Sequence, residues 1–298
     1  MKNLRKWAFL ALTTTALISC NNDDDSMGNE NEGTHVSAVL KFEHSLGLGD
    51  EFTLTDSEDN QQNLELTKFK FIVSDVKVTT TNDEVVALSN NDAAELIDLA
   101  NADETDVVRM YLTGIPEGSY KSISFGVGVS QEVASGSTEN QIKLMELAEQ
   151  DSEDMVWSWN PNSYIFSKIE ATNLDVTTTA PTNLQIHVGN KGGVDGFRTV
   201  ELIFPETLTI ASKISPSIHT NVSIEKLFTP DAPGIEVAYD AIGAHGGTDD
   251  ASINFSDNYA NIFEIEHLHP NEAAINLEDV EMDNHAHDDE DSEDSHSH

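Results

Sequence analysis

Histidine is the residue type in this sequence with the clearest potential for chemistry, and it is concentrated at the C-terminal end. Of the 11 histidines, His285 and His287 form one His-x-His unit, and His296 and His298 form another. Two imidazoles two residues apart on an extended chain can chelate one ion, and the acidic residues around them attract cations. The pattern predicts weak, exchangeable binding of Cu(II), Zn(II) or Ni(II). The alternative is a solubilising acidic tail with incidental histidines.

Other histidines lie where the sequence has strand patterns. His267 and His269 point to the same side if this segment is extended, so they form a further chelating pair. His44 ends the apolar face of the first predicted strand, whereas His187 faces away from its apolar neighbours. A lone histidine at the rim of a core is often a hydrogen-bonded core residue, so the pattern alone leaves both uses open. Further candidates are Met155, His219 and His245.

The single cysteine, Cys20, ends a secretion signal. A basic start and a short apolar run over residues 7–18 precede it, and the run is too short to span a membrane. The segment resembles a bacterial lipoprotein signal, which implies removal of residues 1–19 and a lipid anchor on Cys20. The acidic residues 21–25 are similar to a surface-export tag, or they act as a charged spacer. We therefore expect an extracytoplasmic protein anchored to the outer membrane and exposed at the cell surface.

Charge and motifs exclude several function classes. The 298 residues include 54 acidic and 15 basic residues, giving a formal net charge of −39. Such a surface repels nucleic acid and attracts cations. The sequence has no zinc-protease helix, nucleophile elbow or phosphate loop, so we do not expect an enzyme. Acylation of Cys20 would leave no thiol for a disulfide or a metal, which makes histidine the natural copper donor.

The elements that must position these residues are mainly strands. Residues 36–44 alternate apolar and polar side chains, and the same kind of pattern recurs along the chain. Further strands are expected over residues 66–78, 119–129, 164–169, 184–188, 199–204 and 222–224, and short helices over residues 92–100, 141–149 and 258–265. We predict a mostly β protein, an antiparallel β-sandwich with few short helices. The predicted organisation is a disordered acidic tether over residues 20–35, one domain over residues 36–270 and a disordered His/Asp-rich tail over residues 271–298.

Three segments, residues 115–129, 155–159 and 164–170, resemble the MbnP-like family in the same order. Their sequences are IPEGSYKSISFGVGV, MVWSW and YIFSKIE. Supporting segments extend the resemblance over residues 36–270. The family consists of secreted copper-binding proteins, some encoded beside methanobactin genes, so the resemblance implies a β-sandwich that holds copper.

The resemblance also implies site residues. Its motifs contain His44 and His187, which identifies them as copper ligands in a buried two-histidine site that would favour Cu(I). In the best-studied relatives a tryptophan at the copper is oxidised to kynurenine, so Trp157 or Trp159 is a candidate, with Met155 nearby. The alternative is that both indoles fill the core, against the glycine face of residues 126–128.

Together these features predict a lipid-anchored copper-binding protein. One folded histidine site and the tail would gather metal ions for buffering or for an outer-membrane uptake partner. The rival is a metal-independent surface binding or adhesion module with a scavenging tail. In that case acidic loops such as residues 149–154 could bind calcium.

Overall fold

The computed structural model describes residues 34–55, 61–88, 94–130, 155–157, 160–175, 183–189, 196–228, 243–246 and 250–280. These residues belong to one compact unit, Gly33–His298. The strands are β1 Val36–His44, β2 Glu51–Thr55, β3 Gln61–Thr80, β4 Val85–Ala87, β5 Ala94–Asp98, β6 Val107–Thr113, β7 Gly118–Val127, β8 Val156–Trp157, β9 Asn160–Asn173, β10 Asn183–Gly189, β11 Arg198–Ile210, β12 Ser217–Val222, β13 Gly243–Gly246 and β14 Phe263–His269. Helix α1 covers Asp250–Ile262, and short 3-10 helices cover Leu99–Asn101 and Ile224–Leu227. Among these residues, no helix is both long and apolar enough to cross a membrane.

The strands form two main sheets. The small sheet has the order β14-β12-β1-β6, and the large sheet has the order β11-β7-β3-β9-β10-β13. Strands β2, β4 and β5 also pair with the long strand β3. Most neighbours are antiparallel, but β1 pairs with β12, and β10 with β13, in parallel. The predicted mostly β, largely antiparallel sandwich is confirmed.

Aromatic rings from both sheets meet in the core. Phe42 of β1 lies 5.6 Å from Phe71 of β3 and 5.8 Å from Phe125 of β7, measured between ring centroids. Phe263 of β14 packs edge-on against Phe125 at 5.2 Å. Edge-to-face ring contacts of this kind stabilise a core by more than the burial of their apolar area alone would. The two sheets are therefore held face to face by alternate residues of β1, β3, β7 and β14.

Two of the predicted helices differ from the structure. Residues 92–100 contain β5 and the start of a 3-10 helix, because pairing with β3 outweighs the weak local helical pattern. A buried ion pair between Lys70 of β3 and Asp98 of β5, 3.0 Å apart, accompanies that pairing. The helix expected over residues 258–265 begins earlier, at Asp250, and ends at Ile262, where β14 takes over. The helix expected over residues 141–149 lies outside the described residues.

Residues 271–280, which the sequence assigns to the disordered tail, hydrogen bond to the first strand and to Ser215. Val36 N–H donates to the carbonyl of Ile275 over 2.9 Å, and Leu277 N–H donates to Thr34 over 2.8 Å. The buried Ser215 hydroxyl donates to the carbonyl of Val36 and accepts the N–H of Ile275. Residues 271–280 are thus part of the folded unit, since they complete the hydrogen bonding of the N-terminal strand.

The glycine face of β7 admits aromatic rings, as the sequence predicts. A Cβ atom added to Gly126 would lie 2.2 Å from the ring of Phe197, and one added to Gly128 would lie 2.4 Å from the ring of Phe166. Among the described residues, the rings that approach this face are those of Phe166 and Phe197. The side chain of Trp157, and all of Trp159, lie outside the described residues.

A three-histidine cluster as candidate metal centre

The outer face of the small sheet carries a histidine cluster built by three adjacent strands. Lys41 of β1 lies in register with His219 of β12, and His219 lies in register with His267 of β14. Ser217 of β12 lies in register with His269 of β14 and forms the next pair on the same face of the sheet. Because side chains alternate across a strand, the residues between them face the core, where Leu40, Ile218 and Leu268 are buried.

The three imidazoles of His219, His267 and His269 lie close enough to share one ion; we call them the histidine triad. One ligand atom from each lies within 4.8 Å of the others. The ring centroids are separated by 4.1 Å between His219 and His267, 4.6 Å between His219 and His269, and 4.8 Å between His267 and His269. Side-chain exposure rises from 11% at His219 to 44% at His267 and 49% at His269. The triad therefore has one fixed, buried member and two exposed members.

Each imidazole of the triad faces a carboxylate through Nδ1. Glu43 contacts Nδ1 of His219, and Glu272 lies 3.2 Å from Nδ1 of His269. Glu266 is more distant, 3.8 Å from Nδ1 of His267. A carboxylate at one ring nitrogen orients the imidazole and directs the other nitrogen, Nε2, towards a metal.

Burial and neighbouring charges keep His219 neutral. Its pKa falls to about 4, first because the ring is desolvated and then because the Lys41 ammonium and the other two histidines disfavour a further positive charge. Burial by itself raises the pKa of Glu272. Hydrogen bonds from Ser217 and His269 and the positive charge of Lys41 have a larger effect, so the pKa of Glu272 is lowered. A neutral imidazole beside ionised carboxylates is the state in which a metal can bind.

Two of these carboxyl groups, Glu43 and Glu266, also contact each other. Glu266 and Glu43 share a side-chain hydrogen bond, which is the main reason that the pKa of Glu266 is raised. Repulsion between neighbouring carboxylates also disfavours the ionised form of Glu266. The lowered pKa of Glu272, by contrast, favours its ionised form beside the triad.

His44 occupies a different environment, inside the core. Its ring packs edge-on against Phe69 of β3 with a centroid separation of 5.8 Å, and Nδ1 lies 3.1 Å from the carbonyl oxygen of Asp106. Desolvation lowers its pKa to about 4, although the hydrogen bonds to backbone carbonyls act in the opposite direction. Nε2 is buried and has no hydrogen-bond partner within the described part of the chain.

His187 faces the other side of the large sheet. It alternates with the core residue Ile186, as the sequence predicts, and its Nε2 lies 2.7 Å from Glu170 of β9. His44 contacts Phe69, which is in register with Ile169 on the core face. The large sheet therefore lies between the two histidines, and the structure does not bring them together.

Comparison with known proteins identifies the family. The MbnP family model matches residues 36–245, which is more than half of the chain. The chain belongs to the MbnP family. No curated protein matches it. Among solved structures it is similar to MbnP from Methylosinus trichosporium, with 13% sequence identity, a TM-score of 0.39, and coverage of 64% of this chain and 76% of that chain.

The residues that match the MbnP family model include only part of the histidine triad. His219 lies inside residues 36–245, as do His44 and His187, whereas His267 and His269 follow it on β14. The triad therefore depends on a strand beyond the family match.

The remaining predicted site residues are separate from the triad or outside the description. Met155 is buried in a small hydrophobic cluster with Tyr164 and Phe166, which contains no member of the triad. The backbone of His245 pairs in register with His187. Cys20, His285, His287, His296 and His298 lie outside the described residues.

Sequence reasoning placed His219 among the lesser candidates and expected a strand only from residue 222. The signal available in the sequence is that Ser217, His219 and Asn221 are two residues apart and alternate with a set that includes the apolar Ile218 and Val222. That pattern places His219 on the polar face of a strand. Its pairing with β14, which brings it beside His267, is visible only in the structure.

Proposed function

We propose that this MbnP-family protein binds copper as cargo, and that His219, His267 and His269 hold one ion on the outer face of the small sheet. The triad carries the proposal because its three nitrogen ligand atoms lie within 4.8 Å of one another. Membership of the MbnP family suggests a copper-related role. The net charge of −39 also favours cations near the surface.

The donor set fits a transition-metal ion. Bonds of about 2.0 Å from metal to imidazole place neighbouring nitrogens roughly 3.3 Å apart in a tetrahedral site. The exposed His267 and His269 can close that difference by side-chain rotation while His219 stays fixed. The carboxylates at Nδ1 favour Nε2 as the donor atom of each ring.

Three imidazoles suit several metals, with copper as the strongest binder in the divalent series. Because two of the rings are exposed, a fourth coordination position is open to water or to an exchanging ligand. The proposed site therefore accommodates Cu(II) as well as Cu(I), unlike the buried two-histidine site that the sequence predicted. Zinc is the main competitor, since it also binds three histidines with one open position.

We extend the proposal to location and use. Acylation of Cys20 would anchor the protein to the outer membrane, where the acidic segment after Cys20 favours exposure at the cell surface. There the protein would capture copper and buffer it, or pass it to an uptake partner, without catalysing a reaction. The four tail histidines would add weak, exchangeable sites for Cu(II), Zn(II) or Ni(II).

The test measures copper bound by the intact mature chain, with Cu(I) under reductant and with Cu(II) without it. Intact protein retains the tail, so the contribution of the triad appears as the difference between wild type and variants. We expect His219→Ala and the double variant His267→Ala/His269→Ala each to lose one copper per chain, because each removes donors from the same site.

The matched comparison is His187→Gln, which changes a histidine of the same domain outside the triad. It should bind as much copper as wild type. Loss of copper in His187→Gln with no loss in the triad variants would instead place the folded site at His187. Equal binding in all four proteins would leave only the tail, and the metal-independent surface binding module would then be the better account.

A further inference from the structure

Lys41 brings a positive charge to the nitrogen on which the proposed copper site depends. It lies on β1, directly in register with His219 on β12. Its Nζ is 3.2 Å from Nε2 of His219, and its side chain is only 16% exposed. A largely buried ammonium therefore borders the triad on the side of the adjacent strand.

The chemistry of the ammonium group fixes the protonation of His219. A lysine ammonium has three donors and no acceptor, so Nε2 of His219 must accept the hydrogen bond. The ring proton is then on Nδ1, where it is donated to Glu43. The Nε2 lone pair, which would bind a metal, is thus directed at Lys41. Ser217 Oγ lies 3.1 Å from the same nitrogen.

A second position for the ammonium lies beside it. Glu272 is 3.7 Å from Nζ of Lys41, and the same carboxylate lies 3.2 Å from His269. A lysine side chain has a flexible four-carbon stem, so a small rotation about its bonds moves the ammonium group from His219 to Glu272 without moving β1. The outer face of the sheet therefore offers an ion pair to a displaced ammonium.

We propose that Lys41 is a resident cation that competes with the metal for Nε2 of His219, and that metal binding moves its ammonium to Glu272. The inference rests on the proposed metal site at the triad and concerns how tightly that site holds its ion. A cation within hydrogen-bonding distance of Nε2 repels an incoming metal ion, and its hydrogen bond occupies the nitrogen lone pair that the metal would need. Lys41 therefore weakens metal binding and makes the bound ion exchangeable, as release to a partner requires.

The first experiment compares metal affinity in the intact mature chain, using Cu(II) alone and Zn(II) alone as probes. The affinity of interest is the component lost in His267→Ala/His269→Ala. Lys41→Met keeps the apolar stem and removes the charge, and we expect it to tighten this component by about tenfold or more. Lys41→Gln provides a second neutral side chain in case Met disturbs folding.

Two control variants separate local competition from general charge. Lys41→Arg keeps the positive charge and should stay close to wild type. Lys226→Met removes a lysine that pairs with Glu264 of β14, so it changes the net charge by the same amount as Lys41→Met, and it should also stay close to wild type. Unchanged or weaker affinity in folded Lys41→Met and Lys41→Gln would overturn the inference, as would equal tightening in Lys226→Met.

The outcomes for the two proposals are distinct. If wild type has no metal binding that depends on His267 and His269, the proposed function fails. If wild type has such binding but the neutral Lys41 variants do not tighten it, only the role of Lys41 fails.

The second experiment needs no metal. Imidazole ¹⁵N shifts of the metal-free protein report which ring nitrogen of His219 carries the proton. We expect the proton on Nδ1 in wild type. A proton on Nε2 would overturn the inference, because that nitrogen could not then accept a hydrogen bond from Lys41.

Discussion

At the scale of single residues, His44 shows that a histidine can be a core side chain that folding keeps neutral. Its ring packs edge-on against Phe69 of β3, and its Nδ1–H donates to the carbonyl of Asp106. The backbone N–H of His44 donates to the same oxygen over 3.1 Å. Replacing the imidazole with an apolar side chain of similar size therefore leaves that carbonyl satisfied.

The lowered pKa of His44 predicts a specific pH dependence of stability. The pKa is about 4 in the folded protein against an ordinary histidine value of 6.5, so between these values the unfolded chain binds a proton that the folded chain does not. The contribution of neutral His44 to the free energy of unfolding is complete above pH 6.5, and it is lost as the pH decreases towards 4. We expect His44→Leu to remove roughly 2 kcal/mol of the loss that wild type suffers between pH 6.5 and pH 4.5.

Urea unfolding at the two pH values measures this loss. Phe255→Leu is the matched control: Phe255 is buried against Phe228 and Tyr259 rather than against His44, and its replacement removes no titrating group, so it should lower stability equally at both pH values. Identical pH dependence in wild type and His44→Leu would show that His44 titrates normally in the folded protein.

At the scale of elements, the glycines at the end of β7 let the strand pack against bulky rings. Gly128 has a φ angle of +99°, in the left-handed region that side chains with a Cβ rarely adopt. The ring of Phe166, which belongs to the second hydrophobic cluster, occupies the space where its Cβ would be. Both backbone conformation and packing therefore require glycine at this position.

Gly128→Ala should lower the free energy of unfolding by about 3 kcal/mol, because it adds strain at positive φ and a collision with a buried ring. Gly118→Ala, at the start of β7, is the control. Its added Cβ would meet no atom closer than 3.7 Å, so stability should change by less than about 0.5 kcal/mol. Thermal unfolding measures both variants, and equal shifts in the two would contradict the proposed constraint.

At the scale of the whole molecule, the C-terminal segment has two parts with different roles. Residues 271–280 hydrogen bond to the start of β1 and to Ser215, and they supply Glu272 to the triad. Residues 281–298 contain the four tail histidines and follow these contacts. Removing one part or both should therefore have different effects on folding and on metal binding.

A chain ending at residue 280 should unfold at the same temperature as wild type and should retain the tightest copper site while binding fewer ions in total. A chain ending at residue 270 should unfold at a lower temperature, since Val36 and Ser215 lose their partners. Thermal unfolding and metal analysis of the two chains measure this. Loss of all metal binding at residue 280 would assign capture to the tail alone and favour the metal-independent module.

Local patterns in the sequence determined the fold class and the side on which several residues lie. Period-two alternation in β1 placed Phe42 towards the core and Lys41 and Glu43 on the opposite face, and the spacing of His267 and His269 placed both imidazoles on one side. These assignments need only the geometry of an extended chain. The resemblance to the family rests instead on short sequence segments within residues 36–270, and the family model matches residues 36–245.

Only the tertiary structure decided which of these residues meet. Lys41 and His219 are 178 residues apart in sequence, and their contact depends on the parallel pairing of β1 with β12. The separation of His44 from His187 likewise depends on the position of the large sheet between them. Periodicity specifies the face of a strand but not its neighbour or register, because strand order and register are set by long-range packing that local sequence does not encode.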